Sequence, residues 1–429
     1  MLCRKVVAAR LNKHLSDNNL LEPHQSAYRK GHSTETATLK VHNDIQCALG
    51  ENRCVLLVSI DLSAAFDTVS HQRLLQTLES LGVTGSALKW FETYLSLRSQ
   101  VISVAGHKST SQPLECGVPQ GSVLGPVLFT VYTSPLGALL RERGPYHFYA
   151  DDGMLYLIFK PEQFHNNIQH MEETASMVRT WMACNQLKMN DQKTEVMLIT
   201  PKNIKLTCPD LLIGDHRVAP SKSLCSLGLH MDSHSTMEHH VNVVCKAAYM
   251  HLYNINKIKM YVDKPSLEQL VHAFVTSKLD YGNALLLGYP STLLQKLQRV
   301  QNCAARILCG CRKYDHITPI LHSLHWLPIT QRIKYKVAML VFKAKCHEAP
   351  VYLQDMIKPY VPSRNLRSQS QELLCVPKTK SALVAKRAFC VAGPTLWNSL
   401  PLELRQCQNL VTFKKSLKTF LFKEHYDNA

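Results

Sequence analysis

Apolar residues recur along the chain in two rhythms, and the order of those rhythms predicts the fold. In "CVLLVSID" the apolar run is unbroken, of strand length, and stops at Asp61. Such a run suits a central strand covered on both faces. "EVMLIT" and the segment around "LCSLGLHMD" read as further short strands, and "SQVISVAG" carries strand signals. "HFYADDGMLYLIF" reads as a hairpin with Asp151 and Asp152 at its tip.

Helical spacing marks the segments between. Ser33 or Thr34 is placed to cap "ETATLKVHNDIQCAL", "HQRLLQTLESLG" closes at Gly82, and "ALKWFETYLSLR" follows. "GVPQGSVLGPVLFTVYTSPLGALL" is a glycine-rich loop entering a helix, with Pro126 in the first turn, where its missing amide hydrogen costs nothing. "IQHMEETASMVRTWMACNQL" presents Met171, Ala175, Val178 and Met182 on one helical face. The start, "MLCRKVVAARLNKHL", has no acid until Asp17, as transit peptides do, but Leu2, Val6, Ala9 and Leu15 near helical spacing predict an amphipathic helix. Beyond Asp232 the pattern becomes mainly helical, most clearly in "SLEQLVHAFVTSKLDYG" and "LLQKLQRVQNCAARIL". The expectation is an α+β domain over residues 1–232 and a mainly helical region over 233–349. The proline-richer residues 350–429 form a C-terminal region to which the pattern assigns no fold.

Composition narrows this picture. The chain has 429 residues, enough for two or three domains of roughly 100–200 residues, and 45% are hydrophobic. No apolar run approaches the ~18 residues of a membrane span, and no secretory leader opens the sequence. A nuclear or cytoplasmic protein, neither secreted nor membrane-bound, is expected. Fifteen cysteines, scattered singly, predict reduced thiols and not a disulfide framework. Cys309, Cys311, His316, His322 and His325 match no common zinc spacing and read as buried thiols and helix-packing histidines.

Charge divides the chain. Residues 1–230 hold 22 Lys and Arg against 20 Asp and Glu, whereas residues 231–429 hold 27 against 12. Nearly all of the +17 net charge therefore sits in the second half, which suits a surface gripping a polyanion without sequence preference.

The acids of the neutral half are the candidate chemistry. Taken alone, "ADDG" reads as a hairpin turn rich in Asp and Gly, and an acid ending a strand is ordinary. If the hairpin lies beside the strand ending at Asp61, however, three carboxylates converge at one sheet edge. Unpaired they repel; together they suit hard divalent cations, which bind a few carboxylates and substrate phosphates. On the residues alone, Phe66 reads equally as a core ring, Lys193 as a solvated lysine, and "GVPQGS" as a turn before a helix.

The ordered series "LLVSIDLSAAFDTVSHQRLL", "GVPQGSVLGPVLF", "YADD", "NQLKMNDQKTEVML" and "SLGLHMD" resembles the successive motifs of reverse transcriptases, specifically those of jockey-like non-LTR (LINE) retrotransposons. "NNLLEPHQSAYRKGHSTETA" resembles the family's fingers segment, though members commonly have Gly and Phe before the Arg. "LVHAFVTSKLDYGNALL", "HITPILHSLHWLPITQRI" and "RAFCVAGPTLWNSLP" resemble its thumb and C-terminal region. The resemblance implies an α+β right-hand polymerase, with partial fingers and a palm built on an antiparallel sheet, followed by a helical thumb. It also implies that the chain starts within the fingers and carries no endonuclease domain.

The implied activity is RNA-directed DNA polymerisation with two Mg²⁺ ions, Mn²⁺ being an alternative. The implied partners are an RNA template, a DNA primer, their RNA–DNA duplex and deoxynucleoside triphosphates. Asp61, Asp151, Asp152 and the carbonyl of Leu62 would hold the metals. Lys193 would act at the pyrophosphate as a general acid. Ser63, Ala64 and Ala65 would let the triphosphate approach the backbone, and Phe66 would bar a 2′-hydroxyl. Gln120 and Gly121 would lie against the nucleotide, Arg29 and Lys30 would neutralise its phosphates, and Leu227 and Gly228 would seat the primer end. The competing reading is a remnant of such an element that binds nucleic acid without catalysis. A maturase or telomerase fits the C-terminal segments less well.

Overall fold

The computed structural model describes residues 2–63, 65–96, 98–362, 371–379, 381 and 386–427. The unbroken apolar run is an interior strand, as its pattern predicts. Cys54–Ile60 is buried at every position but Ser59 and lies inside a four-stranded sheet ordered Glu195–Ile199, Cys54–Ile60, Asp152–Phe159, Tyr146–Tyr149. The last two strands form the expected antiparallel hairpin, with Tyr149 opposite Asp152. The helix Phe164–Cys184 buries Met171, Ala175, Val178 and Met182. The helix Gly125–Leu140 begins with Pro126 and buries Leu128, Phe129 and Leu136.

Two local expectations change. "SQVISVAG" supplies only two-residue strands, Ser99–Gln100 and Ser103–Val104, which pair with Gln112–Pro113 and His107–Lys108 in an exposed hairpin. The N-terminal helix Leu2–Asp17 exists, but its buried stripe is Ala8, Leu11 and Leu15, while Val6 and Ala9 face solvent. Periodicity permits both stripes, since each follows helical spacing, and packing chooses between them.

The chain forms two compact units whose limits differ from the expected boundary at residue 232. The first comprises the chain up to His32, Val55–Leu198 and Leu206–Ser221; the second comprises Ser33–Cys54, Ile199–Lys205 and everything from Lys222 onward. The helix Thr34–Gly50, capped by Ser33 in a capping box with Thr36, therefore belongs to the second unit although it precedes the central strand in sequence. Its polar face explains the allegiance. Glu35 pairs with Lys336 at 2.9 Å, His42 Nε2 lies 2.9 Å from the Tyr289 hydroxyl, and Gln46 donates to the Ser235 hydroxyl at 2.6 Å. No 3.6-residue rhythm announces such long-range bonds.

Within the second unit, the helices Glu238–Ile258, Ser291–Cys309 and Ile329–Lys345 share one apolar core with Phe389–Ser399 and Leu410–Tyr426. The described part of residues 350–429 is thus no separate body. Phe413 lies 4.4 Å from Phe342 and 5.7 Å from Trp397 between ring centroids, and all three are buried. His322 and His325 pack against Phe422, at 5.1 and 5.8 Å, as helix-packing histidines.

Truncating Phe413 to alanine should cost about 3–5 kcal/mol, the range for emptying a buried phenylalanine site. Urea titration of the helical signal is the measurement, and a midpoint unchanged from the parent would place the C-terminal helix outside the core.

Candidate active site

Side chains packed over the hairpin strand leave room only for a glycine at position 153. Ile60, the last residue of the central strand, lies beside Gly153, where a Cβ would come 2.7 Å from Ile60 Cγ1 and 2.9 Å from Phe148 Cε1. The glycine of "ADDG" therefore serves strand packing and not the turn. Its consequence is that Asp61 and Asp152, one step beyond these residues, emerge at the same end of the sheet.

The hairpin's two loop residues are Ala150 and Asp151, because Tyr149 is already paired with Asp152. Ala150 has φ 56, a left-handed conformation that costs a non-glycine residue roughly 1–2 kcal/mol. Strain of this kind persists only where surrounding structure enforces it. Here the buried side chain of Gln25 does so: its Oε1 accepts from Ala150 N at 2.9 Å, and its Nε2 donates to Ala150 O at 3.2 Å.

The segment after the helix Phe164–Cys184 reaches the same place. Lys188–Met189 pairs antiparallel with Leu62–Ser63, Asn190 N donates to Asp61 O at 2.8 Å, and Lys193 Nζ lies 3.1 Å from Asp61 Oδ2. Thus the lysine that reads from sequence as a solvated side chain is an ion-pair partner of the first acid.

The electrostatics follow. The Asp152 carboxyl is pushed up to about 6, first by burial and then by the negative charges of Asp151 and Asp61, with Lys193 opposing. Burial and the Asp151 charge also raise the Tyr28 phenol. Asp61, Asp151 and Asp152 thus share one electrostatic neighbourhood in which two of the acids make the third reluctant to ionise. Among the described residues no three His, Cys, Asp or Glu side chains are grouped so as to hold a metal ion by themselves. Carboxylates are the donor type of hard cations that also bind waters and substrate phosphates.

The glycine-rich loop is bound to the segment following Asp61. Gly117 N donates to Val69 O and Val118 N to Phe66 O, both at 2.8 Å, while His71 Nε2 lies 2.8 Å from Gly117 O. A Cβ at Gly117, whose φ is 88, would stand 2.9 Å from Asp67 O, so a side chain there would push the two loops apart. Phe66 is half-buried and stacks on Phe129 at 4.7 Å. Gln120 and Gly121 are exposed on this loop; Ser63 is half-buried and Ala65 buried. Ala64 lies outside the described residues.

The remaining candidates lie on other segments. Arg29 donates to the carbonyls of Glu22 and Gln25, at 2.6 and 3.0 Å, which ties its guanidinium to its own loop, while Lys30 is exposed. Leu227 and Gly228, with φ of 49 and 73, form the tip of the hairpin Ser223–Ser226 and Leu229–Asp232 in the second unit. There the Tyr281 hydroxyl donates to Leu227 O at 2.6 Å.

Sequence reading missed Gln25, Asn190 and Glu22. Glu22 is a buried carboxylate held by Arg141 at 3.0 Å and by the Tyr146 hydroxyl at 2.7 Å. A polar residue flanked by others carries no burial signal of its own, and the partners lie over a hundred positions away.

The comparisons with known proteins supply a family for the chain that carries these acids, the lysine and the glycine-rich loop. The sequence model for "Reverse transcriptase (RNA-dependent DNA polymerase)" matches residues 2–259, and the chain belongs to that family. It is 25% identical over 383 residues to the probable RNA-directed DNA polymerase from transposon BS of Drosophila melanogaster, covering 85% of this chain and 41% of the relative. It is 26% identical over 229 residues to the RNA-directed DNA polymerase from mobile element jockey of Drosophila melanogaster, covering 52% and 24%. The chain spans less than half the length of these curated relatives. Among solved structures, apo telomerase from Candida tropicalis is similar at 10% identity and TM-score 0.39, over 77% of this chain and 54% of that one. These relatives bear out the LINE-type resemblance, and membership of the family makes the mixed fold a right-hand polymerase.

Because Asp152 ionises less readily folded than at its ordinary value of 3.8, it costs stability above about pH 6, and that cost fades as pH falls toward 3.8. Asp152→Asn should therefore raise the thermal midpoint at pH 7.5 and raise it much less at pH 4.5. A gain of equal size at both pH values would exclude charge repulsion as its cause.

Proposed function

We propose that the chain is the polymerase portion of a LINE-type retrotransposon protein, copying RNA into DNA from a primer 3′-hydroxyl. The observation carrying this reading is the convergence of Asp61, Asp151, Asp152 and Lys193 at one end of the sheet, with a raised Asp152 carboxyl. Divalent metal dependence belongs to the family in general; for this chain the ions would be two Mg²⁺, with Mn²⁺ able to substitute. Asp61, Asp151, Asp152 and the Leu62 carbonyl would hold them. When bound, such ions lower the pKa of the attacking hydroxyl and stabilise charge on the attacking and leaving oxygens.

The chain's own groups do the rest. The primer 3′-hydroxyl would lose its proton to solvent as its oxygen attacks the α-phosphorus of a deoxynucleoside triphosphate, a new P–O bond forming while the bond from that phosphorus to the oxygen bridging the β-phosphate breaks. Lys193, already poised beside Asp61, would give its proton to the departing pyrophosphate. Small residues Ser63, Ala64 and Ala65 would let the triphosphate lie along the backbone, with Gln120 and Gly121 against it. Phe66, braced on Phe129, would face the sugar. Lys30 would meet the phosphates; Arg29 could do so only by releasing the carbonyls it now holds. The basic residues of the second half would contact the phosphates of template, primer and duplex, with Leu227 and Gly228 at the primer end. A nuclear or cytoplasmic location fits this work, and among the described residues no helix is long and apolar enough to cross a membrane.

Primer extension on poly(rA) with oligo(dT) tests this reading. Incorporation by the parent should fall in Asp152→Ala by more than the roughly 10–100-fold that outer-shell metal partners cost. Binding of the duplex without incorporation by either protein would return the reading to a non-catalytic remnant. In an active parent, Phe66→Ala should admit ribonucleotides, read as the ratio of rNTP to dNTP efficiency. An unchanged ratio would remove Phe66 from sugar selection.

A further inference from the structure

The turn carrying Asp151 has no rigidity of its own. Its first loop residue, Ala150, bears a Cβ in the left-handed region, with φ 56. Relaxation to negative φ would rotate the neighbouring peptide groups and swing the Asp151 side chain away from Asp152. The hairpin's ladder ends at the Tyr149–Asp152 pair, so its backbone pairing does not itself hold Ala150.

What lies against the turn is the segment His24–Ala27. It is docked on the adjacent strand by Phe148 N donating to His24 O at 2.8 Å and Ser26 N donating to Phe148 O at 2.9 Å. Ser26 Oγ and His147 Nε2 lie 2.8 Å apart. These bonds place Gln25, 4% exposed, directly behind Ala150. Its carboxamide then matches both polar groups of that residue. Oε1 accepts from Ala150 N at 2.9 Å and from Ala27 N at 3.0 Å, filling its two lone pairs, and Nε2 donates to Ala150 O at 3.2 Å. A side chain with donor and acceptor side by side can satisfy the N–H and C=O of one residue only in one orientation of the peptide. Both bonds are buried, so losing either leaves an unpaired group away from water.

We infer that Gln25 is a positioning residue for the reaction: its carboxamide clamps Ala150 in the left-handed conformation and so fixes Asp151 beside Asp152. It touches neither substrate nor metal and acts through the backbone of the turn. The catalytic consequence rests on the polymerase reading, while the clamp itself does not.

Two variants of the full chain separate the possibilities. Gln25→Met keeps the volume and removes both bonds; Gln25→Glu keeps the acceptor for Ala150 N and removes the donor to Ala150 O. Hydrogen–deuterium exchange resolved to the Ala150 amide should accelerate at least tenfold in Gln25→Met and little in Gln25→Glu. In primer extension, kcat should fall at least tenfold in Gln25→Met and less in Gln25→Glu, with KM for the nucleotide within twofold of the parent. Ala150 exchange unchanged in Gln25→Met overturns the clamp, as does uniform acceleration across residues 146–159, which marks lost packing alone. Altered exchange with unchanged kcat overturns the positioning role. If Gln25→Met does not fold, Gln25→Asn, one methylene too short to reach, answers to the same outcomes. If the parent incorporates nothing, the polymerase reading fails, and Ala150 exchange still decides the clamp.

Discussion

Everything at this site depends on the contact between Ile60 and Gly153. The Ile60 and Phe148 side chains leave Gly153 no room for a side chain, and Asp61, which follows one strand, stands at the same sheet end as Asp152, which opens its neighbour. Burial, and after it the negative charges of Asp151 and Asp61, push the Asp152 carboxyl up, so its ionisation opposes folding. The sheet supplies the energy that holds them: the central strand is buried almost throughout, and burial of its apolar side chains outweighs the repulsion at its end. On the proposed polymerase reading, a bound cation would relieve that cost.

Around this contact, supports arrive from distant parts of the chain, each through backbone groups. Gln25 braces the turn, Asn190 fixes the end of the central strand, and Gly117 lets the glycine-rich loop lie against Asp67. Backbone contacts fix position more firmly than contacts between long side chains, because fewer rotamers intervene. Arg29 shows the same economy of design from the other side. A guanidinium suited to phosphate is engaged with two carbonyls of its own loop, and so stabilises the segment that presents Gln25.

The second unit is organised differently. Its aromatic and aliphatic core gathers helices from residues 238–426 together with a helix from residues 34–50. Paired charges such as Arg332 with Asp280 and Lys336 with Glu35 employ only some of its basic residues. The excess of positive charge in the second half is therefore a property of its surface, available to a polyanion, and the core could form without it.

The strands of the four-stranded sheet, most helices and the three candidate acids were legible in the chain itself, because apolar rhythm, capping residues and ordered motifs are local properties. Ser33 as a cap, Pro126 at a helix start and the buried face of Phe164–Cys184 all follow from neighbours within a few positions. Tertiary structure decided the matters in which distance along the chain says nothing: the allegiance of the helix Thr34–Gly50, the stripe that the N-terminal helix buries, the pairing of Lys193 with Asp61, and the duty of Gln25. A side chain's rhythm tells which face is apolar, whereas its partner is set by the three-dimensional path of a backbone that may return a hundred residues later.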